Sequence, residues 1–151
     1  MRGVRFTDMH CSVARALDVV GERWTLLVLR DAFHGVRRFD DFQESLRIAR
    51  NILADRLQTL VEHGVLERRP YQTHPERYEY RLTQKGLDLF PVLMALTAWG
   101  DRYLAGDEGP PLAVSHRTCG RPAVASVICS GCGEPLTARE TRSQWREDTA
   151  T

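Results

Sequence analysis

The side chains best suited to chemistry form two groups. Near the C-terminal end, His116, Cys119, Cys129 and Cys132 are written H-x2-C, nine residues, then C-x2-C. Thiolates and an imidazole in two closely spaced pairs suit Zn2+, and Gly120 and Gly133 after each second ligand let backbone amides turn toward sulfur. Joined by the strand-like run AVASVI, the two turns are expected to surround one tetrahedral structural zinc ion with no open position for catalysis. The metal would then supply folding energy that so short a segment cannot draw from apolar burial. Two other readings stay open here: Cys129 and Cys132 as a redox pair, and the cysteines as inert surface thiols. An oxidoreductase is the weaker of these, because a redox C-x-x-C opens a helix after a strand, whereas Gly133, Glu134 and Pro135 follow here.

The second group is basic and polar. Arg50 and Asn51 open a helical pattern and Gln58 continues its outward side. Arginine forks to guanine O6 and N7 or grips a phosphate, and asparagine makes two bonds to adenine N6 and N7. Arg77, in a charged turn further on, is placed for a minor groove or its backbone, and Arg47, Arg68 and Arg69 add phosphate contacts. Asp55 also projects outward; it either repels phosphate or accepts from cytosine N4.

The elements that must hold these groups are legible from periodicity. Phe39, Phe42 and Leu46 give one short helix an apolar face, with Asp40 expected as its N-cap. Leu53, Leu57, Leu60 and Val61 repeat the period in a second helix that buries one side, closed by Gly64. Tyr78, Tyr80 and Leu82 then alternate with Glu79 and Arg81, predicting a strand paired with the preceding VLERRPY run, with Gln72 to Arg77 as the tip. Helix, helix, hairpin in that order is the writing of a winged helix-turn-helix, whose second helix fits the major groove of duplex DNA.

The flanks suggest a partner. A first helix carries Val13, Ala16, Leu17 and Val20, and a following one, Trp24 to Phe33, is apolar on most sides and expected at the centre of the core. A long helix after Thr83 carries Leu89, Phe90, Leu93, Leu96, Trp99 and Tyr103, more than a lone terminal helix needs, with Pro91 expected to kink or restart it. A two-fold dimer built on these helices sets two recognition helices one DNA turn apart.

Several of these stretches together resemble the HxlR-type transcriptional regulators over roughly residues 11 to 104. The motifs are Cys11 followed by VARALDVVGERWTLLVLRDAF, Arg38-Phe39, ILADRLQTLVEHGVLERR, RYEYRLTQKG and Trp99-Gly100. The resemblance implies a dimeric winged-helix protein that binds operator DNA, with dimer contacts from residues 12 to 20 and 84 to 104. It also implies a sensor of oxidants or electrophiles at Cys11, whose place just before a helix favours thiolate; the alternative is a small apolar residue packed at the dimer seam. Ala49 stands where the family usually has a serine N-cap, and Asn51 where a basic residue is common.

Composition fits this organisation. The chain has 151 residues, 42% of them hydrophobic, and a net charge of +1, so any basic surface must be local. The fold class expected is α+β, mainly α: residues 1–105 a winged helix-turn-helix DNA-binding and dimerisation domain, 106–137 a linker (AGDEGPP) and zinc-ribbon-like module, 138–151 a disordered tail apart from a contact by Trp145. MRGVRFTDMH lacks a signal-peptide core and no run reaches the length of a membrane span, which predicts a cytoplasmic protein. The expected function is a homodimeric, non-enzymatic regulator of transcription on a pseudo-palindromic operator, controlled through a thiol by an oxidant or small-molecule effector; a thiol redox protein and a protein-interaction module are the rivals.

Overall fold

The structure is a computed structural model that describes Phe6 and residues 9–146. Its elements run α1 (Ser12–Val20), α2 (Thr25–Phe33), α3 (Phe39–Leu46), α4 (Arg50–Glu62), β1 (Leu66–Thr73), β2 (Glu76–Leu82), α5 (Gln84–Leu87) and α6 (Phe90–Leu104). This is a winged helix-turn-helix, mainly helical, with one two-stranded antiparallel sheet. The chain divides into two compact units between Leu93 and Met94, inside α6.

The core of the first unit is a cluster of Val28, Leu29, Phe42, Leu46, Ile48, Leu53, Leu57, Leu60, Val65 and Leu66. α4 contributes one whole side: Leu53, Leu57 and Leu60 are completely buried, at the spacing that stacks residues on one helical face. Phe42 and Leu46 do the same for α3, and Val28 and Leu29 for α2. The expectation that α2 is apolar and central holds on one side, while Leu27 is exposed. Asp31 is buried beside it, held by the Arg30 guanidinium at 2.7 Å.

Asp40 is not the cap of α3. The N-cap is Arg38, in extended backbone, and Asp40 and Asp41 lie in the first turn, where their charges oppose the positive helix end. Arg38 is extended because it bridges to Glu79 of β2, and Tyr80 donates its N–H to Arg37 O at 2.7 Å. The segment before α3 thus adds a third short partner to the hairpin and ties the wing to the helices. The tight turn between α3 and α4 puts Arg47 in the left-handed region (φ 49°), its N–H bonded to Gln43 O.

In the wing, Leu66 pairs with Leu82 and Thr73 with Glu76, with a bulge between Pro70 and Gln72. Tyr80 and Leu82 pack on the core as the alternation predicts; Tyr78 instead lies under the Arg68 guanidinium, 3.9 Å from its ring centroid. Thr83 then fastens the end of the wing. Its hydroxyl caps α5 by accepting from Gly86 N–H (3.1 Å), and its own N–H donates to Val65 O. Gly86 has no room for a side chain, since a Cβ there would lie 2.2 Å from Val65 O.

The long helix expected after Thr83 is two helices. Pro91 occupies the first turn of α6, where its missing N–H has no helical acceptor to lose, so the chain restarts rather than kinks. α6 has no buried residue: Leu96, Trp99 and Tyr103 are 51%, 56% and 63% exposed. On α1, Val13 and Leu17 are likewise exposed. Beyond α6 the described residues form no helix or strand; they contain two isolated bridges, Ser115 to Pro122 and Ile128 to Pro135. After a turn at Thr137–Glu140 they run without regular structure to Arg146, and Trp145 is exposed; residues 147–151 of the expected tail lie outside the described residues. Most of the N-terminal stretch read for a leader does too, and among the described residues no helix is long and apolar enough to cross a membrane.

Two substitutions test this packing by chemical denaturation. Leu57→Ala is expected to lower unfolding free energy by about 2–5 kcal/mol, because the void opens at a completely buried position of the core cluster. Gly86→Ala is expected to cost about 1–3 kcal/mol through the backbone it would strike, whereas Leu96→Ala on the uncovered face of α6 costs an isolated chain far less.

Candidate nucleic-acid interface

Burying the leucine side of α4 leaves its opposite side to solvent. Arg50 and Asn51 are exposed in the first turn and Asp55 and Gln58 follow on the exposed surface. Ala49, the N-cap, is extended and provides no side-chain hydrogen bond, so the first amides of α4 stay open to an outside acceptor.

The sequence-selected residues differ in how they are held. The Arg50 guanidinium lies over the Phe39 ring (4.6 Å to the centroid), pairs with Asp40 Oδ1 at 3.3 Å and donates to Gln43 Oε1 at 3.4 Å. It remains 69% exposed, so these are weak contacts in water, and they fold the side chain back over α3. Asn51 is exposed and its amide has no hydrogen-bond partner among the described residues. Gln58 donates to Glu62 Oε1 at 2.7 Å, one turn along. Asp55 pairs with Arg56 at 2.9 Å, and Arg56 also reaches Glu22, so the carboxylate read as a possible repulsion is partly neutralised.

On the turn and wing, Arg47 and Arg77 are exposed and their guanidinium groups have no partner among the described residues. Arg77 is the second residue of β2, beside the His74-Pro75 turn. Arg69 pairs with Glu67 on its own strand. Tyr78 donates to the Glu76 carboxylate; that hydrogen bond and burial raise its phenol pKa. Arg38 belongs with this group although the sequence did not single it out for contact: exposed, it stacks 4.4 Å from the Tyr71 ring centroid, between the start of α3 and the wing. Its sequence signals are its place at the foot of α3 and its part in the Arg38-Phe39 motif.

The thiols belong to other segments of the chain. Cys11 is a free thiol, half-buried, at the N-cap of α1. His116 Nδ1 and Cys119 Sγ are 3.6 Å apart on one turn, and Cys129 and Cys132 interact on another. Amides of Cys132 and Gly131, with the Cys132 thiol, hold the Cys129 thiol below its ordinary pKa. Each pair stands on its own turn; among the described residues, no three His, Cys, Asp or Glu side chains gather to hold a metal.

Comparison with known proteins agrees with this fold. The model of the HxlR-like helix-turn-helix family matches residues 19–108. An HTH-type transcriptional regulator of Mycobacterium tuberculosis is 55% identical over 128 residues, 85% of this chain and 81% of that protein. The crystal structure of PA1607 superposes with a TM-score of 0.83 at 42% identity, covering 93% of this chain and 99% of that one. The redox regulator HypR in its reduced form gives a TM-score of 0.58 at 29% identity, over 61% of this chain and 92% of its own.

Two substitutions separate positioning from reading of bases. Arg77→Ala is expected to weaken binding to every duplex alike and to reduce the salt slope by about one, measured by fluorescence anisotropy over a salt series. Asn51→Ala is expected to lose about 1–3 kcal/mol on a preferred sequence and little on others. Equal losses on all sequences would remove the base-reading role of Asn51.

Proposed function

Because the chain belongs to the HxlR-like helix-turn-helix family, we propose that this transcriptional regulator acts as a homodimer on a pseudo-palindromic operator, with α4 in the major groove and the wing on the adjacent backbone. The observation that carries the reading is the two-sidedness of α4. Its leucines are sealed in the core while Arg50 and Asn51 stand exposed at an uncapped N-terminus, the end that enters a groove. Arg47 and Arg77 are unengaged cations for phosphate, and Arg69 needs only to leave Glu67. Arg50 likewise exchanges Asp40 for a phosphate or a guanine at small cost, because an exposed pair is weakly held.

Homodimerisation is supported by the apolar surface each flanking helix leaves uncovered: Val13 and Leu17 on α1, and Leu96, Trp99 and Tyr103 on α6. Side chains of this size gain most from a second apolar surface, and a two-fold axis presents each helix with its own copy. Two symmetry-related recognition helices then require half-sites about 10 base pairs apart.

Control through a thiol is the finer part of the proposal. Cys11 sits at the head of α1, the helix assigned to the dimer contact, and the similar protein HypR is a redox regulator. Modifying a half-buried thiol there changes how α1 packs on its partner, and with it the spacing of the two α4 helices.

Fluorescence anisotropy of the purified protein, on DNA upstream of its own gene against scrambled duplex at fixed salt, tests the reading. The expected result is preferential binding, altered by a thiol oxidant in the wild type and not in Cys11→Ser. Trp99→Glu is expected to give a monomer by analytical ultracentrifugation and to lose the preference. No preference for any duplex selected from a random pool would overturn the DNA-reading assignment, and an unchanged oxidant response in Cys11→Ser would overturn the switch.

A further inference from the structure

The two turns that carry the C-terminal His and Cys residues are the same structure repeated. His116 N–H donates to Arg121 O, and thirteen positions later Cys129 N–H donates to Glu134 O. Gly120 N–H donates to His116 O, as Gly133 N–H does to Cys129 O; Ala123 N–H donates to Val114 O, as Leu136 N–H does to Val127 O. The isolated bridges fall at matching places, Ser115 to Pro122 and Ile128 to Pro135, and Gly120 and Gly133 share positive φ of 67° and 79°. Every backbone hydrogen bond of one turn thus has its counterpart in the other. The side chains repeated at the first and fourth positions are two imidazole or thiol pairs: His116 with Cys119, Cys129 with Cys132.

A turn that recurs with so little apolar burial needs another source of order. Val124, Val127, Ile128 and Leu136 are all exposed, so no core holds this segment. The pair geometry indicates what does. A zinc ion bonded to nitrogen at about 2.1 Å and to sulfur at about 2.3 Å, at the tetrahedral angle, sets the two donors about 3.6 Å apart. His116 Nδ1 and Cys119 Sγ stand 3.6 Å apart. In the second turn the amides of Gly131 and Cys132 point at Cys129 Sγ, the arrangement that stabilises a metal-bound thiolate.

We propose that these turns are the two halves of one structural Zn2+ site, with His116 Nδ1 and the thiolates of Cys119, Cys129 and Cys132 as its four ligands. The pairs stand apart on their own turns and the ion joins them. On binding, each thiol gives its proton to solvent and each sulfur forms one bond to zinc, with no change of oxidation state. The site then carries one net negative charge, and the cations Arg117 and Arg121 flank its first ligand pair in sequence. With all four positions filled by protein, the ion has no catalytic role; it makes a folded module of a segment that lacks a core.

The test uses the full-length protein, reduced, stripped of metal and titrated with Co2+ and then Zn2+. The expected result is one equivalent of Co2+ per chain, with the thiolate charge-transfer and intense visible bands of a tetrahedral site, displaced by Zn2+. Cys129→Ser and Cys132→Ser are expected to lose that spectrum, and Cys11→Ser to keep it. Because a ligand variant may simply leave the segment unfolded, cysteine 13Cβ shifts in the wild type give an independent reading. Zn2+ is expected to move those of Cys119, Cys129 and Cys132 from thiol to zinc-thiolate values and to leave Cys11 in place. A pale octahedral spectrum, half an equivalent per chain, a spectrum retained by Cys129→Ser, or a Cys129–Cys132 disulfide in place of metal would each overturn the proposal. DNA binding by the first unit is a separate measurement that none of these outcomes decides.

Discussion

Everything at the surface proposed to face DNA follows from the burial of Leu53, Leu57 and Leu60. Three leucines on one side of a thirteen-residue helix fix its rotation about its own axis, because turning it would expose them and drive the opposite side into the core. Each is worth roughly 2 kcal/mol of transfer free energy, so a rotated packing is not populated. The direction in which Arg50 and Asn51 face is therefore a consequence of apolar packing, not of any contact they make. Phe42 and Val28 provide the surface against which that rotation is set.

The wing is tied to this core by polar and backbone contacts instead. Tyr80 N–H to Arg37 O, the bridge from Arg38 to Glu79, and Thr83 binding both Val65 O and Gly86 N–H hold a hairpin that has only Leu66, Tyr80 and Leu82 in the core. With a net charge of +1, the protein has little long-range attraction for DNA as a whole. Of its arginines, Arg50, Arg69, Arg81, Arg38 and Arg68 are kept against Asp40, Glu67, Glu79, Tyr71 and Tyr78 in the free state. Such an interface binds where several of these weak exchanges occur together, which favours a specific complex over a diffuse one.

Amphipathic helices whose partners are leucines declare themselves in sequence, and α3, α4 and the hairpin were legible for that reason. The family motifs around them carried the expectation of a dimer and of a thiol switch. What escaped depends on tertiary neighbours. Asp40 has the right chemistry for a cap, but Arg38 is drawn into extended backbone by Glu79, forty-one residues away, and α3 starts two residues earlier. The stacking of Arg50 on Phe39 and of Arg38 on Tyr71 needs the relative placement of separate elements, which no period encodes. Ligand spacing was visible in His116, Cys119, Cys129 and Cys132, and Cys119-Gly120-Arg121-Pro122 recurs as Cys132-Gly133-Glu134-Pro135. That the backbone repeats as well, with His116 opposite Cys129 and Arg117-Thr118 opposite Ser130-Gly131, shows only in its hydrogen bonds.

The central claim is that α4 reads the major groove at two sites while the wing touches the flanking backbone. Its most direct measurement is methylation interference and hydroxyl-radical footprinting on a duplex selected by the protein from a random pool. The account predicts interference at guanine N7 in two major-groove segments about one helical turn apart on one face, each flanked by backbone protection. A single protected segment, or protection confined to the minor groove, would contradict it.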